Sequence, residues 1–195
     1  MIFIDKFSKG RLLQVLRSNL KNSKIPFLKI YKVNDWKKNK KLIIRNIKNN
    51  FSLNKELIIR SSKNDEDDKD NSQAGKYHSE LNVKCSSKSL INSINKVIKS
   101  YGRISLEQEE EFIVQEMIKA TSMSGVIFTQ DPDNFAPYYL INYDDISGKT
   151  STVTSGNSEF SNKTLSIFRE KLNYLNSKRF QKLLLSVLEI EKKLN

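Results

Sequence analysis

The chain has 195 residues, of which 37% are hydrophobic, and its formal net charge at pH 7 is +12. This length allows one sizeable core or two small lobes. No stretch reaches the roughly eighteen uncharged apolar residues of a membrane helix, and the N-terminus lacks the apolar run of a signal peptide, so we expect a cytoplasmic protein with no membrane partner. Cys85 and His78 are the only Cys and His residues, which excludes an internal disulfide and a zinc cluster.

The positive charge is concentrated in the first quarter of the chain. Residues 1–50 hold fourteen Lys and Arg but only Asp5 and Asp35 as acids, whereas residues 51–195 hold twenty of each sign. Such a block could attract a polyanion, either nucleic acid or the phosphates of a nucleotide. A third explanation is that the basic block reflects only the general composition of the chain, which is rich in Lys, Asn and Ile throughout.

The first elements in chain order are two predicted helices with a strand between them. Ser8 can cap a helix whose leucines recur at helical spacing, and "IPFLKIY" then predicts a strand beginning at Pro26. Asp35 is the predicted N-cap of a second helix, whose apolar positions reach Ile47.

Two strands and a helix are predicted next. The run "ELIIR" indicates a short buried strand, and "YHSELNV" alternates like another strand. Ser86 or Ser87 then opens a clear amphipathic helix, which Gly102 ends. These elements form the predicted N-terminal lobe, residues 1–102.

The second half is rich in β patterns. The runs "EFIVQEMI", "SGVIFTQ", "PYYLINY" and "TSTVTSG" are separated by turn residues and predict an antiparallel meander. Helical spacing returns from about Asn162 and continues through the leucines near the end. The predicted second domain is therefore a C-terminal β lobe plus terminal helices, residues 103–195, and the predicted fold class is α+β.

A loop with unusual chemistry, "RSSKNDEDDKDNSQAG", follows the buried strand "ELIIR". Arg60 offers a guanidinium fork suited to phosphate oxygens, Ser61 and Ser62 add donors, and Gly75 allows close approach of the backbone to a ligand. This set of groups suits a nucleotide triphosphate. The carboxylates of the loop could hold it by hydrogen bonds to its own backbone, in the manner of Asx turns. A solvated acidic loop is the open alternative.

The same loop resembles the "RSSATAEDLPDASFAG" signature of the ATP-binding N-terminal domain of phosphoenolpyruvate synthase and pyruvate phosphate dikinase, a relative of ATP-grasp proteins. Further segments resemble family segments in the same order. "SELNV" is similar to "TYLNV", "FIVQEMI" to "VVVQRMV", and "SGVIFTQDP" to "AGVLFTRDP". The resemblance implies a two-lobed ATP-grasp-like domain with an ATP cleft between the lobes.

The resemblance also implies roles for particular residues. Arg60 would contact the phosphates as the catalytic cation, with Ser61 beside it and Gly75 in the covering loop. Lys9 stands where the family has a phosphate-binding lysine. The segment Gln115, Glu116, Met117 and Ile118 would be the hinge whose backbone reads adenine. The alternatives are an ordinary core strand for the hinge segment and a solvated residue for Lys9.

Within the family, "YLINYDDISGKTSTVTSG" replaces the usual "GLGE" segment and is similar to an L-glutamine kinase-like subgroup, which phosphorylates an amide in making capsule phosphoramidate. Asp144 and Asp145 are possible metal or ribose contacts. The family's acidic "DIE" strand would follow Asn195, and its phosphohistidine domain is absent from the chain. We therefore expect an incomplete domain, inactive alone, with further C-terminal domains as partners.

The resulting hypothesis is the ATP-binding part of an ATP-dependent phosphotransferase that uses ATP and Mg²⁺ and acts on a small phosphoryl acceptor. A fragment of phosphoenolpyruvate synthase or pyruvate phosphate dikinase is the alternative within the family. A module that binds a nucleotide or nucleic acid without turnover is the alternative outside it. Nucleic acid is the less favoured ligand, because the aromatic residues near the basic block fit apolar positions of a strand and a helix.

Overall fold

A computed structural model describes residues 7–62, 78–102, 110–150, 153 and 162–194. The chain divides into two compact units, Met1–Met117 with Lys193–Asn195, and Ile118–Lys192. Each unit contains an antiparallel sheet and helices, so the predicted α+β class is confirmed. No helix within the described ranges has the length and apolar character needed to cross a membrane.

The first unit is built on a four-stranded antiparallel sheet with strand order β1-β4-β2-β3. Its elements in chain order are α1 (Lys9–Asn19), β1 (Leu28–Lys32), α2 (Val33–Lys38), α3 (Lys40–Asn50), β2 (Glu56–Ser62), β3 (Ser79–Lys84), α4 (Ser87–Lys99) and β4 (Glu111–Glu116). Strand β4 is central because it pairs with both β1 and β2.

The main core of this unit lies on one face of the sheet. Side chains alternate along a strand, so Phe112 and Val114 of β4 point to this face together with Ile59 of β2. Helices α2, α3 and α4 cover it with their apolar stripes, including the fully buried Trp36 and Ile94. Helix α1 packs elsewhere, against β1 and β4.

The second unit contains a three-stranded antiparallel sheet of order β5-β6-β7. Its elements are β5 (Ser124–Phe128), β6 (Tyr138–Asp144), β7 (Lys163–Phe168), a short 3₁₀ helix (Arg169–Tyr174) and α5 (Lys178–Leu194). Tyr139 and Ile141 of the central strand pack with Ile167, Phe180 and Leu184 to form its core.

Several predicted elements are confirmed. Helix α4 begins after Ser86, whose hydroxyl accepts the Ser89 N–H as an N-cap, and Gly102 follows it with φ of +69°. The predicted strands in "ELIIR" and "YHSELNV" are β2 and β3.

Other expectations are wrong. The meander does not include "EFIVQEMI", because β4 hydrogen-bonds to β1 and β2 of the first unit. The segment Lys163–Phe168 is strand β7 rather than helix, since it pairs with β6 along its length. Asp35 is not an N-cap but lies inside α2, and the Asn39 side chain caps the separate helix α3. Most of "TSTVTSG" lies outside the described residues.

Candidate functional site

One face of the first sheet gathers polar side chains from β2 and β4. Directly paired residues of antiparallel strands project to the same side, and Ser62 pairs with Glu111 while Arg60 pairs with Ile113. Gln115 lies two positions further along the same side of β4. We call this side, which is opposite to the main core, the α1 face, because Ile113 packs against helix α1.

Helix α1 approaches the α1 face unusually closely at Gly10. A Cβ atom on Gly10 would lie 3.0 Å from Cγ1 of Ile113 and 3.0 Å from Cγ1 of Ile30. Lys9 immediately precedes this contact and is the first residue of the helix. The absence of a side chain at position 10 thus lets the N-terminus of α1, with Lys9, sit directly on the sheet.

The Glu111 carboxylate binds both sides of the first turn of α1. Ser8 occupies the N-cap position of the helix, but its side chain makes no cap hydrogen bond. The Ser8 hydroxyl instead donates to Oε2 of Glu111 over 2.6 Å. Arg11 donates to Oε1 of Glu111 from Nη2 over 2.7 Å and from Nε over 3.1 Å. The predicted capping role of the Ser8 side chain is therefore wrong, because the hydroxyl is turned towards the Glu111 carboxylate and accepts no N–H from the first turn of the helix.

Three further hydrogen bonds fix the end of β2 and the start of β4. The Gly10 N–H donates to the Ser62 hydroxyl over 2.9 Å. The Tyr101 hydroxyl accepts the Ser62 N–H over 3.3 Å and donates to the backbone carbonyl of Glu111 over 2.7 Å. The start of α1, the end of β2 and the start of β4 are thus joined by hydrogen bonds among buried groups.

Of the predicted phosphate-binding residues, Lys9 and Arg60 belong to this arrangement. Lys9 begins α1, and Arg60 projects from the α1 face two positions before Ser62 along β2. The Ser61 side chain projects to the opposite face and is only 2% exposed, so the structure does not bring its hydroxyl to the α1 face. Gly75 lies outside the described residues.

The predicted adenine hinge is the end of β4 and the residues that follow it. The Glu116 N–H donates to the Phe27 carbonyl and the Met117 N–H donates to the Glu56 carbonyl, each over 3.0 Å. A ligand that reads this backbone would therefore use atoms other than these two N–H groups. Gln115 is buried on the α1 face, and Ile118 is 54% exposed.

Asp144 and Asp145, the predicted metal contacts, both have protein partners in the second unit. Oδ1 of Asp144 accepts the N–H groups of Ile146 and Ser147, each over 2.9 Å, and Oδ2 accepts the Ser147 hydroxyl. This pattern is that of an Asx-type turn after β6.

The Asp145 carboxylate forms ion pairs with Lys163 over 2.7 Å and with Arg179 over 3.0 Å. The Lys163 hydrogen bond, helped by Arg179, lowers the pKa of Asp145. A cation at Asp145 would have to displace these two side chains, so the pair does not fit a ready-made magnesium site. Within the described ranges, no three His, Cys, Asp or Glu side chains are grouped as metal ligands.

Glu111 and Tyr101 are residues of this site that the sequence analysis did not identify. Glu111 is an acidic residue directly before the apolar run Phe112, Ile113 and Val114 of β4, where a buried carboxylate needs hydrogen-bond donors. The position of Glu111 in the sequence could therefore have indicated a buried carboxylate with protein partners. Tyr101, just after α4, continues the apolar spacing of that helix in the sequence. This spacing predicts a core position and gives no indication that its hydroxyl binds the end of β2 and the start of β4.

The fold and the gathered polar groups are compatible with an ATP-binding domain of α+β class. A sequence model of the family described as pyruvate phosphate dikinase, AMP/ATP-binding domain, matches residues 33–144. The match covers more than half of the chain, which therefore belongs to this family. It includes Arg60, the segment 115–118 and Asp144, whereas Lys9 and Asp145 lie outside it. A comparison with curated proteins gave no match.

The family match confirms the coarse part of the sequence-based hypothesis. The resemblance to the phosphoenolpyruvate synthase and pyruvate phosphate dikinase family is confirmed, and ATP is the ligand class of the domain. The particular subgroup, the phosphoryl acceptor and the roles of individual residues are matters for proposal.

Proposed function

We propose that the α1 face of the first sheet binds ATP, with Lys9 and Arg60 at the phosphates and the segment 115–118 near the adenine. The observation that carries this proposal is the convergence of three distant segments on that face. The start of α1, the end of β2 and strand β4 meet there through the Gly10–Ser62 and Ser8–Glu111 hydrogen bonds. These segments contain Lys9, Arg60 and Gln115, which the family resemblance implies for the ligand. In the same proposal Gly75 belongs to a loop over the phosphates.

The chemistry of phosphoryl transfer fits these residues. Transfer depends mostly on positioning of the reactants and on neutralising the charge of the transferred group. A guanidinium offers two parallel N–H donors to phosphate oxygens, and an ammonium offers a compact point charge. Arg60 would orient the triphosphate and Lys9 would neutralise it. Magnesium, when bound, would supply further charge neutralisation, and Asp144 and Asp145 could contact it only after releasing the protein groups that they bind.

The acceptor is proposed to be a small metabolite, with L-glutamine as the first candidate. This rests on the string "YLINYDDISGKTSTVTSG", which resembles the L-glutamine kinase-like subgroup. A role as part of a phosphoenolpyruvate synthase or a pyruvate phosphate dikinase is equally consistent with the family match. The proposal keeps the predicted cytoplasmic location.

The binding part of the proposal is tested by ATP-dependent stabilisation and calorimetry. At an ATP concentration tenfold above Kd, the expected stabilisation is about 1.4 kcal/mol, which raises the Tm by a few degrees. Arg60→Ala is expected to abolish the rise. Arg45→Ala is the matched control, because Arg45 is exposed on α3 and lies within the same unit. An unchanged Tm of the wild-type chain at millimolar ATP, with or without Mg²⁺, contradicts the proposal.

A further inference from the structure

We infer that Glu111 and Ser62 are positioning residues for Lys9, holding the helix turn from which its ammonium reaches the nucleotide phosphates. The inference rests on the proposed ATP site and adds to it two residues that do not themselves contact the ligand. The two side chains come from β4 and β2, and their bonds flank Lys9 on both sides along the chain.

The Glu111 contacts are strong because the carboxylate is buried. Glu111 is 4% exposed, so its charge is removed from most of the surrounding water and depends on protein donors. Ser8 binds one carboxylate oxygen and Arg11 binds the other. Hydrogen bonds to a charged acceptor are about twice as strong as neutral ones. The residues directly before Lys9 and two positions after it are thereby tied to a single group on β4.

Ser62 ties down the residue between these two contacts. The first N–H groups of a helix have no partner within the helix, and side chains commonly satisfy them. Here the Gly10 N–H donates to the hydroxyl of Ser62, which is fully buried. The Ser62 backbone is itself held by Tyr101. The acceptor is therefore held by contacts that do not involve the helix.

These contacts matter for function because a lysine side chain is long and flexible. Its charge can be delivered reproducibly only if its Cα atom is fixed, and small misplacements of a positioned group cost large factors in rate or affinity. Ser8, Gly10 and Arg11 surround Lys9 in sequence, and each has a bond to the sheet. Loss of Glu111 or Ser62 would leave Lys9 present but loosely placed.

The test is a double-mutant cycle on ATP affinity, measured by calorimetry on the whole chain. Glu111→Gln keeps the shape of the side chain but loses its charge, and it is expected to weaken ATP binding about tenfold, which corresponds to about 1.4 kcal/mol. Lys9→Met should weaken binding by a similar factor. The double variant should be no weaker than Lys9→Met alone, because Glu111 acts through Lys9.

A second readout separates positioning from general damage to the unit. Adenosine has no phosphates, so its affinity should be unchanged by Glu111→Gln, whereas a merely structural defect would weaken adenosine and ATP alike. Glu80→Gln is the control, because Glu80 also accepts hydrogen bonds from several side chains but sits on β3 next to α4. It should leave both affinities unchanged.

The possible outcomes are distinct. If the wild-type chain binds no ATP, the proposed function fails and this inference fails with it. If the wild type binds ATP but Glu111→Gln binds it equally well, or weakens it additively with Lys9→Met, only the inference is overturned. Should Glu111→Gln fail to fold, Ser62→Ala and Ser62→Thr replace it. The alanine variant is expected to lose ATP affinity and the threonine variant, which keeps the hydroxyl, to retain it; equal affinities overturn the inference.

Discussion

The backbone N–H of Gly10 lies 2.9 Å from the Ser62 hydroxyl, although the two residues are 52 positions apart in the chain. Because Gly10 also packs against Ile30 and Ile113, the helix start is held by a hydrogen bond and by close van der Waals contact at once. The position of Lys9 relative to Arg60 therefore depends on a residue that has no side chain.

Gly10→Ala is expected to destabilise the first unit and to weaken ATP binding. Overpacking of a close contact costs about 1–3 kcal/mol, and the higher helix propensity of alanine returns at most about 1 kcal/mol, so a net loss of about 1 kcal/mol is expected. Chemical denaturation measures the free energy of unfolding. Gln14→Ala, on the exposed side of the same helix, should change it little. Equal or greater stability of Gly10→Ala would show that the two isoleucines yield without cost.

Tyr139 should make the stability of the second unit fall at high pH. Its hydroxyl donates to Oε2 of Glu191 over 2.6 Å, and the Arg169 guanidinium lies 4.4 Å from the centre of its ring. Burial, followed by the Glu191 carboxylate, raises the pKa of Tyr139 to about 12. Above pH 10 the unfolded chain loses this proton while the folded chain keeps it, so the contribution is complete below pH 10 and is lost as pH rises through about 12.

The check on this prediction compares Tm between pH 9 and pH 12 for the wild type and for Tyr139→Phe. At pH 9 the variant should have the lower Tm, because it lacks a hydrogen bond worth about 1 kcal/mol of unfolding free energy. Its Tm should then fall less steeply as the pH rises. Tyr138→Phe is the control, because Tyr138 neighbours Tyr139 on β6 but is 38% exposed. Parallel pH profiles for wild type and Tyr139→Phe would contradict the assignment.

The sequence predicted most of the local elements correctly but not the long-range pairings. Helix α4 was predictable because its cap, its apolar stripe and its terminal glycine are all local signals. Strand β4 could be recognised as a strand, but its partners β1 and β2 lie far away in sequence. In β7 the spacing of Leu165 and Phe168 imitates a helix, and pairing with β6 overrides it.

The site shows the same division between local chemistry and tertiary contact. Lys9 and Arg60 were identified as types of side chain suited to phosphate, and the structure places both at one end of the first sheet. Glu111 was missed because its role depends on Ser8 and Arg11, which reach it only after folding. The sequence alone could not show that Ser62 rather than Ser61 projects to the α1 face, because this depends on the register of β2.

The basic residues of α2 and α3 are expected to be dispensable for ATP binding. Lys37, Lys38, Lys40 and Lys41 are all exposed. Their helices pack on the main core, which is on the opposite side of the sheet from the α1 face. Replacing all four by Gln should leave the Kd for ATP within about twofold, since charges beyond about 8 Å are largely screened at physiological salt.

The same variant tests nucleic acid as a ligand. We expect no complex with DNA or RNA at physiological salt in a gel-shift experiment. A complex of micromolar affinity that weakens steeply with salt and disappears on replacing the four lysines would make nucleic acid the better assignment for this surface.

The last prediction concerns the acceptor. Phosphorus NMR of the full-length protein supplied with ATP, Mg²⁺ and L-glutamine is expected to show a phosphoramidate signal, because the string "YDDISGKTSTVTSG" resembles the subgroup that phosphorylates the glutamine amide. Arg60→Ala should abolish the signal, since charge on the transferred group would lose its guanidinium partner, while Arg45→Ala should not. Pyruvate offered in place of glutamine should give no product. Phosphoenolpyruvate formed from pyruvate would move the protein to the synthase branch of the family, and the absence of either product would contradict both acceptors while leaving ATP binding to be judged by calorimetry.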